Sequence, residues 1–220
     1  MMNVILYSLV QKNEYSLKKL VDDLAKATQD DTQGIHIQEY DDTFLKATYW
    51  QKKWRKEIKY NLEKRDFELV QEETINTTDF GIQILEQKLL IFGNKQMAQK
   101  IITLIGIASR NSYLITEFII NIENFVKRIL EDEDIILIKM KLVDIVIDKE
   151  LLVNCVVNLL VQDNPKEIVR RYINNIIVMS FKFEKIAVNI TVYKSGKFSI
   201  SKVDSDDKDE MIQKIIKITC

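Results

Sequence analysis

Residues 48–65 read TYWQKKWRKEIKYNLEKR, a stretch that sets Lys52, Lys53, Arg55, Lys56, Lys59, Lys64 and Arg65 against only Glu57 and Glu63. Tyr49, Trp50, Trp54 and Tyr60 lie between them. Cations neutralise phosphates and flat rings stack on bases, so these residue types are suited to holding a nucleic acid. Two local structures are open. As a helix, Trp50, Trp54, Ile58 and Leu62 recur every four residues as an apolar stripe, with Lys52, Arg55, Lys56 and Lys59 on a solvated opposite face. As an edge hairpin, the tryptophans stack on bases while the lysines meet phosphates. The candidate nucleic-acid contacts here are Trp50, Lys52, Lys53, Trp54, Arg55, Lys56 and Lys59.

Catalytic chemistry has fewer candidates. His36 is the single histidine, set in GIHIQ, which reads as a short strand. A histidine triad or a zinc cluster needs more members than that. Cys155 sits in an apolar run and reads as a small core residue. Asp79 followed by Glu86-Gln87-Lys88 fits the loose D…ExK pattern by which some nucleases hold a metal and activate water. A hairpin turn is expected at Glu86-Gln87, which removes Lys88 from any shared metal site. No two glycines are close enough for a phosphate loop. The expectation is a non-enzymatic protein with no metal and no cofactor, and a metal-dependent nuclease is the third reading.

The whole chain sets the limits on these sites. Its 220 residues carry 32 Lys and Arg against 33 Asp and Glu, a net charge of −1, so any electrostatic grip on nucleic acid is local. Two cysteines make neither a disulfide framework nor a CxxC metal pair. The first residues lack the basic region and cleavage site of a signal peptide, and no apolar run reaches the roughly 18 residues of a membrane span. A cytoplasmic protein without a membrane partner is expected. One proline and five glycines leave no flexible linker. The acidic runs EDED (131–134) and DSDDKDE (204–210) read as a loop and as the cap of the last helix, with Asp204 or Ser205 at the cap itself.

The chain also echoes itself. LVQKN (9–13) and LVQDN (160–164) each close an apolar run that reads as a strand followed by a helix. Asn13 or Ser16 opens the first helix; Asn164, Pro165 and Glu167 open the second. MAQKII (97–102) and MIQKII (211–216) follow in the same order, each in an amphipathic helix behind a strand, KLLIF or KFSIS. Both halves therefore read as strand, helix, antiparallel strands, helix. The spacing further predicts a helix over 113–130 and a strand over 135–148.

This order resembles the TATA-binding-protein family, whose duplicated saddle has a curved sheet below and helices above. The run NITVYKSGKFSISKVDSDDKDEMIQKIIKI (189–218) resembles that family's strand, aromatic, Ser-Gly-Lys hairpin, strand and capped helix. A similar run is found in the N-terminal domain of some bacterial ribonucleases H. The resemblance implies that Tyr193 takes the place of a base-wedging aromatic. It also implies that Asn3 and Asn154 take the place of groove-reading asparagines near a pseudo-dyad. Ile84 stands where the first half would carry its wedge, and Ser201-Lys202 replaces the family's Thr-Gly.

The resulting expectation is an α+β fold of two related strand-helix-antiparallel sheet-helix halves forming a TATA-binding-protein-like saddle. Residues 1–109 make the first half, with a basic and aromatic insertion at 29–80. Residues 110–150 connect, and 151–220 make the second half. The expected role is nucleic-acid binding or recognition, with a protein–protein adaptor subunit of a larger complex as the alternative.

Overall fold

Runs with β-branched and aromatic residues, from four to 18 residues long, form the strands, and the stripes spaced three and four apart form the helices. The structure, a computed structural model, describes residues 1–12, 15–27, 31–148, 151–184, 186–201 and 208–219. In chain order its elements are β1 (Met2–Gln11), α1 (Leu17–Ala27), β2 (Gln33–Tyr40), β3 (Phe44–Asn61), β4 (Asp66–Gln83), β5 (Lys88–Ile91), α2 (Lys95–Ala108), β6 (Tyr113–Glu117) and α3 (Ile122–Glu131). There follow β7 (Ile135–Asp148), β8 (Leu151–Asn158), α4 (Pro165–Arg171), a 3-10 turn (Ile173–Asn175), β9 (Ile176–Phe183), β10 (Ile186–Tyr193), β11 (Lys197–Ile200) and α5 (Lys208–Thr219). The class is α+β with antiparallel strand pairing, as expected. None of the described helices is long and apolar enough to cross a membrane.

The chain forms two compact units, one of Tyr7–Thr116 and one of Met1–Leu6 with Glu117–Cys220, so β1 contributes to both. In the first, the strands lie in the order β2-β3-β4-β5-β1, and β6 also pairs with β1. Along β3, Leu45, Ala47 and Tyr49 are buried while the alternate residues are not, because successive side chains point to opposite faces. Helix α1 buries Leu17, Leu20, Val21 and Leu24; α2 buries Met97, Ala98, Ile101, Ile105 and Ala108. Ser16 Oγ accepts the Lys19 N–H at 3.2 Å, and Asn94 Oδ1 accepts the Met97 N–H at 2.9 Å, so both helices start on a side-chain cap. Near the end of α2, the Tyr15 hydroxyl donates to Asp23 Oδ2 at 2.6 Å and to the Ala108 carbonyl at 3.3 Å. The Tyr113 hydroxyl donates to the Tyr15 carbonyl at 2.8 Å.

The second unit orders its strands β8-β7-β9-β10-β11, followed by the first residues of β1. Met2 to Ile5 pair with Ile200 to Lys197. Its core holds Phe125 and Ile129 of α3, Phe181 of β9, Ile190 of β10, Phe198 of β11 and Met211 and Ile215 of α5. The Ser-Gly-Lys turn behaves as its sequence suggests. Gly196 has φ of +76°, the left-handed region in which a side chain is strained, and its carbonyl accepts the Leu6 N–H at 3.0 Å.

Several expectations change. Residues 113–130 are not one helix: Tyr113–Glu117 is extended, and α3 restarts where Asn121 Oδ1 accepts the Asn124 N–H at 3.1 Å. The stretch 110–150 thus supplies β6, α3 and β7, and the division between units falls at 6/7 and 116/117. Asn164 sits at the N-cap of α4, with Pro165 following, yet its side chain makes no capping bond. Asn13, Asp204 and Ser205 lie outside the described residues. The two M-x-QKII echoes occupy like places, since α2 follows the β4–β5 hairpin and α5 the β10–β11 hairpin. The LVQ echoes do not: one closes β1, which has strands on both sides, and the other follows β8, which ends its sheet.

Candidate binding surface

The basic, aromatic stretch is a strand. β3 and β4 form one hairpin paired without a register shift from Phe44↔Gln83 to Asn61↔Asp66. The helical alternative is overturned, because the spacing of four that suggested it also satisfies the two-residue period of a strand. β2 accompanies β3 only as far as Gln51, and β5 accompanies β4 only over Phe80–Gln83. Beyond Gln51 the hairpin therefore continues as a two-stranded ribbon, ten residues on its outgoing arm and so about 33 Å long at ~3.3 Å per residue. Asn61 closes the turn, its Oδ1 accepting the N–H groups of Glu63 at 2.9 Å and Lys64 at 3.1 Å.

Directly opposed residues of an antiparallel pair share a face, so the register assigns every side chain. One face carries the pairs Tyr60–Phe67 and Ile58–Leu69, then Trp54 opposite Glu73 and Ile75 opposite Lys52. These six apolar side chains are between 49% and 72% exposed, a density of uncovered apolar surface that an isolated Leu would not represent. The Tyr60 and Phe67 rings meet edge to face at 5.1 Å. Lys56 and Lys52 interrupt this face, Lys52 lying 3.2 Å from Glu73.

The other face is polar and largely satisfied within itself. Arg55 Nε lies 2.8 Å from Glu57, Lys59 pairs with both Glu57 and Glu72, and Lys64 lies 2.9 Å from Glu68. The hydrogen bond to Glu72 holds the Lys59 pKa above its usual value, and those from Lys64 and Asn61 hold Glu68 below its own. The window 48–65 ended before the return strand, which supplies Asp66, Glu68, Glu72 and Glu73. Over 52–75, Lys52, Lys53, Arg55, Lys56, Lys59, Lys64 and Arg65 meet Glu57, Glu63, Asp66, Glu68, Glu72 and Glu73, leaving a net charge of only +1. Lys53, Lys56 and Arg65 have no ion pair among the described residues. Phe67, Leu69 and Ile75, the apolar side chains that sequence reasoning passed over, were visible as the alternation in FELVQEETI.

The two tryptophans have different surroundings. Trp50 is opposite Gly34, and a Cβ at Gly34 would lie 2.6 Å from Trp50 Nε1, so the indole rests on bare backbone. That ring is committed to β2 and is half-buried. Trp54 is 62% exposed.

The remaining nucleic-acid candidates do not converge. Asn3 Oδ1 accepts the Ser199 hydroxyl at 2.7 Å; Asn154 Oδ1 accepts the Asp144 N–H at 3.1 Å. They stand on β1 and β8, at opposite limits of the second unit's strand order. Five strand spacings of ~4.8 Å put them about 24 Å apart, so no asparagine pair forms near a dyad. Tyr193 is half-buried at the end of β10, with Lys197 Nζ 5.4 Å from its ring centroid.

For the nuclease pattern, the Asp79 carbonyl accepts the Phe92 N–H at 2.9 Å, whereas Lys88 is opposite Gln83. Four residues of strand, about 13 Å, thus separate Lys88 from Asp79 along the sheet. Glu86 lies in the intervening turn, as expected, and Asp79 Oδ1 accepts the Thr48 hydroxyl at 2.8 Å. His36 is on β2 opposite Thr48. Among the described residues, no group of three or more His, Cys, Asp or Glu could hold a metal. An open groove of about 270 Å³ on the second unit is lined by Val126, Lys127, Leu130, Glu131, Arg170 and Ile173.

Comparison with protein-family models and with curated proteins gives no match to this chain.

Proposed function

We propose that the chain is a non-enzymatic adaptor that docks a protein partner on the apolar face of the β3–β4 ribbon. The observation that carries this reading is the asymmetry of the ribbon. Its charged face is largely paired within itself, while Trp54, Ile58, Tyr60, Phe67, Leu69 and Ile75 are uncovered on the other. A two-stranded ribbon has no core of its own, so burying this face against a partner recovers the missing hydrophobic contact. Aromatic anchors beside aliphatic ones are the usual centre of a protein interface. The ribbon's near-neutral charge favours protein over nucleic acid.

A second reading, nucleic-acid binding, has its own support in Lys53, Lys56 and Arg65, which have no ion pair among the described residues, and in the exposed Trp54. One set of variants separates the two. Ile58→Glu charges the apolar face, and a triple change of Lys53, Lys56 and Arg65 to Ala removes the unpaired cations. The adaptor reading expects Ile58→Glu to abolish copurification of a protein partner from the source cell, with the triple variant unaffected. Nucleic-acid binding would instead appear in anisotropy titrations of oligonucleotides, with a log–log salt slope reduced by about 0.7–0.9 per lost phosphate contact in the triple variant. A partner retained equally by Ile58→Glu refutes the adaptor reading.

The proposal also includes a duplicated, saddle-type origin for the fold. The M-x-QKII helices behind two hairpins support it. With the LVQ echo set aside, β6–α3 rather than β8–α4 becomes the counterpart of β1–α1. An experimental structure in which β1–α1 with β4–β5–α2 fails to superpose on β6–α3 with β10–β11–α5 would remove it.

A further inference from the structure

Among the described residues, β8 ends the strand order of its unit and pairs only with β7. Such a strand presents a row of unpaired N–H and C=O groups, and proteins ordinarily guard it with charges, prolines or bulges. The extra residues of the β7–β8 pairing lie on β7, between Leu142 and Ile145 and between Val146 and Asp148, and β8 itself, Leu151–Asn158, reads LLVNCVVN, with no charged residue, no proline and no glycine. Charges precede it in the sequence at Lys149 and Glu150, whereas beyond its other end Leu160 and Val161 are apolar and 57% and 72% exposed. β2, the terminal strand of the other unit, differs in carrying His36 and Glu39.

We infer that β8 is a self-association edge, on which the β8 of a second copy adds antiparallel about a twofold axis. The sequence itself selects this occupant. An axis perpendicular to the sheet keeps each copy's side chains on the same face, so only residues of like parity can stand opposite one another. Centred on Asn154, the strand sets Leu152 against Val156 and Leu151 against Val157, with Asn154 meeting its own copy. Every apolar side chain then faces an apolar one, the cross-strand pairing that stabilises a sheet, and Asn154, whose Oδ1 accepts the Asp144 N–H within its own copy, meets no apolar residue. Centring on Val153 or Cys155 sets Asn154 against Leu152 or Val156. Centring on Val156 leaves only five residues of the strand paired. The Asn154 register pairs seven with no mismatch. Leu152 and Val156, 62% and 64% exposed in one copy, become covered. The absence of charge removes the like-charge repulsion that a twofold axis would impose on any charged strand centre.

The register makes a covalent test possible. Val153 of one copy stands opposite Cys155 of the other, within reach of a disulfide, whereas Cys155 and its own copy are offset diagonally, beyond that reach. The full chain should sediment at twice its 25.9 kDa mass, and Val156→Lys, a charge on an exposed edge position, should reduce it to the monomer with an unchanged circular dichroism spectrum. In a Cys220→Ser background, oxidation should give covalent dimers with Val153→Cys and none with Leu152→Cys. A wild-type chain that is monomeric, a dimer indifferent to Val156→Lys, or cross-linking equal in the two cysteine variants would overturn the inference. So would a complex in which a different polypeptide occupies β8.

Discussion

Gly196 offers a prediction whose size follows from geometry. Its φ of +76° costs a residue with a Cβ about 1–2 kcal/mol. A Cβ there would also lie 2.3 Å from the Phe118 carbonyl oxygen, a backbone atom that cannot rotate aside. Relieving the contact moves the turn and loosens the bond from the Leu6 N–H to the Gly196 carbonyl. Overpacking of this kind costs about 1–3 kcal/mol. The stiffer unfolded chain of an alanine variant returns only about 0.4–1 kcal/mol. Gly196→Ala should therefore destabilise by about 2–4 kcal/mol, the sum of these effects. Gly81→Ala is the matched control: the added Cβ would sit 3.6 Å from the Leu45 carbonyl, an ordinary contact. That variant should be neutral or slightly stabilising. Urea melts followed by far-ultraviolet circular dichroism measure both. A loss below about 1 kcal/mol at Gly196, or equal losses at the two sites, would refute the reasoning.

Alkaline pH should weaken the first unit through its buried tyrosines. Burial pushes Tyr113 from 10.0 up to about 12, and burial together with the bond to Asp23 raises Tyr15 further. Because the folded state favours the neutral phenols, their contribution is fully present below pH 10 and is lost as pH rises through the folded values. Tyr113→Phe should flatten that decline between pH 10 and 12 in melts recorded across the range; an unchanged decline would contradict the assignment. Gly34→Ala should displace the Trp50 indole, shifting tryptophan emission and costing about 1–3 kcal/mol, while Trp54→Ala should change stability by no more than about 0.5 kcal/mol. Comparable losses in the two variants would mean that the tryptophans share one environment.

Much of the fold was legible in local pattern. The Ser-Gly-Lys turn, the strand KLLIF and the apolar stripes of α1, α2 and α5 each carry their own signal within a few residues. The candidate surface was legible only by half. Trp50, Trp54, Ile58 and Leu62 satisfy both a helical and an extended period, so the choice depended on a return strand that no local window contains. The acids that neutralise the basic run are likewise neighbours only after the chain doubles back, Glu72 lying 13 residues from Lys59 in sequence. Asn3 and Asn154 looked alike because each opens an apolar run that ends in Leu-Val-Gln. Their strands differ in what stands on either side, and strand order is fixed by tertiary pairing rather than by local sequence.

The division of β1 between the units has a consequence for synthesis. Residues 7–116 are contiguous, so that unit has all its strands as soon as this length of chain has left the ribosome. The other unit includes Met1–Leu6, yet Asn3 meets Ser199, 196 positions later. Its sheet cannot close during elongation, and contacts of such separation form slowly because a long loop must be closed first. Residues 1–6 must therefore wait, unpaired on that side, until β11 has been made, and a nascent chain stalled before β11 should carry one folded unit and one open one.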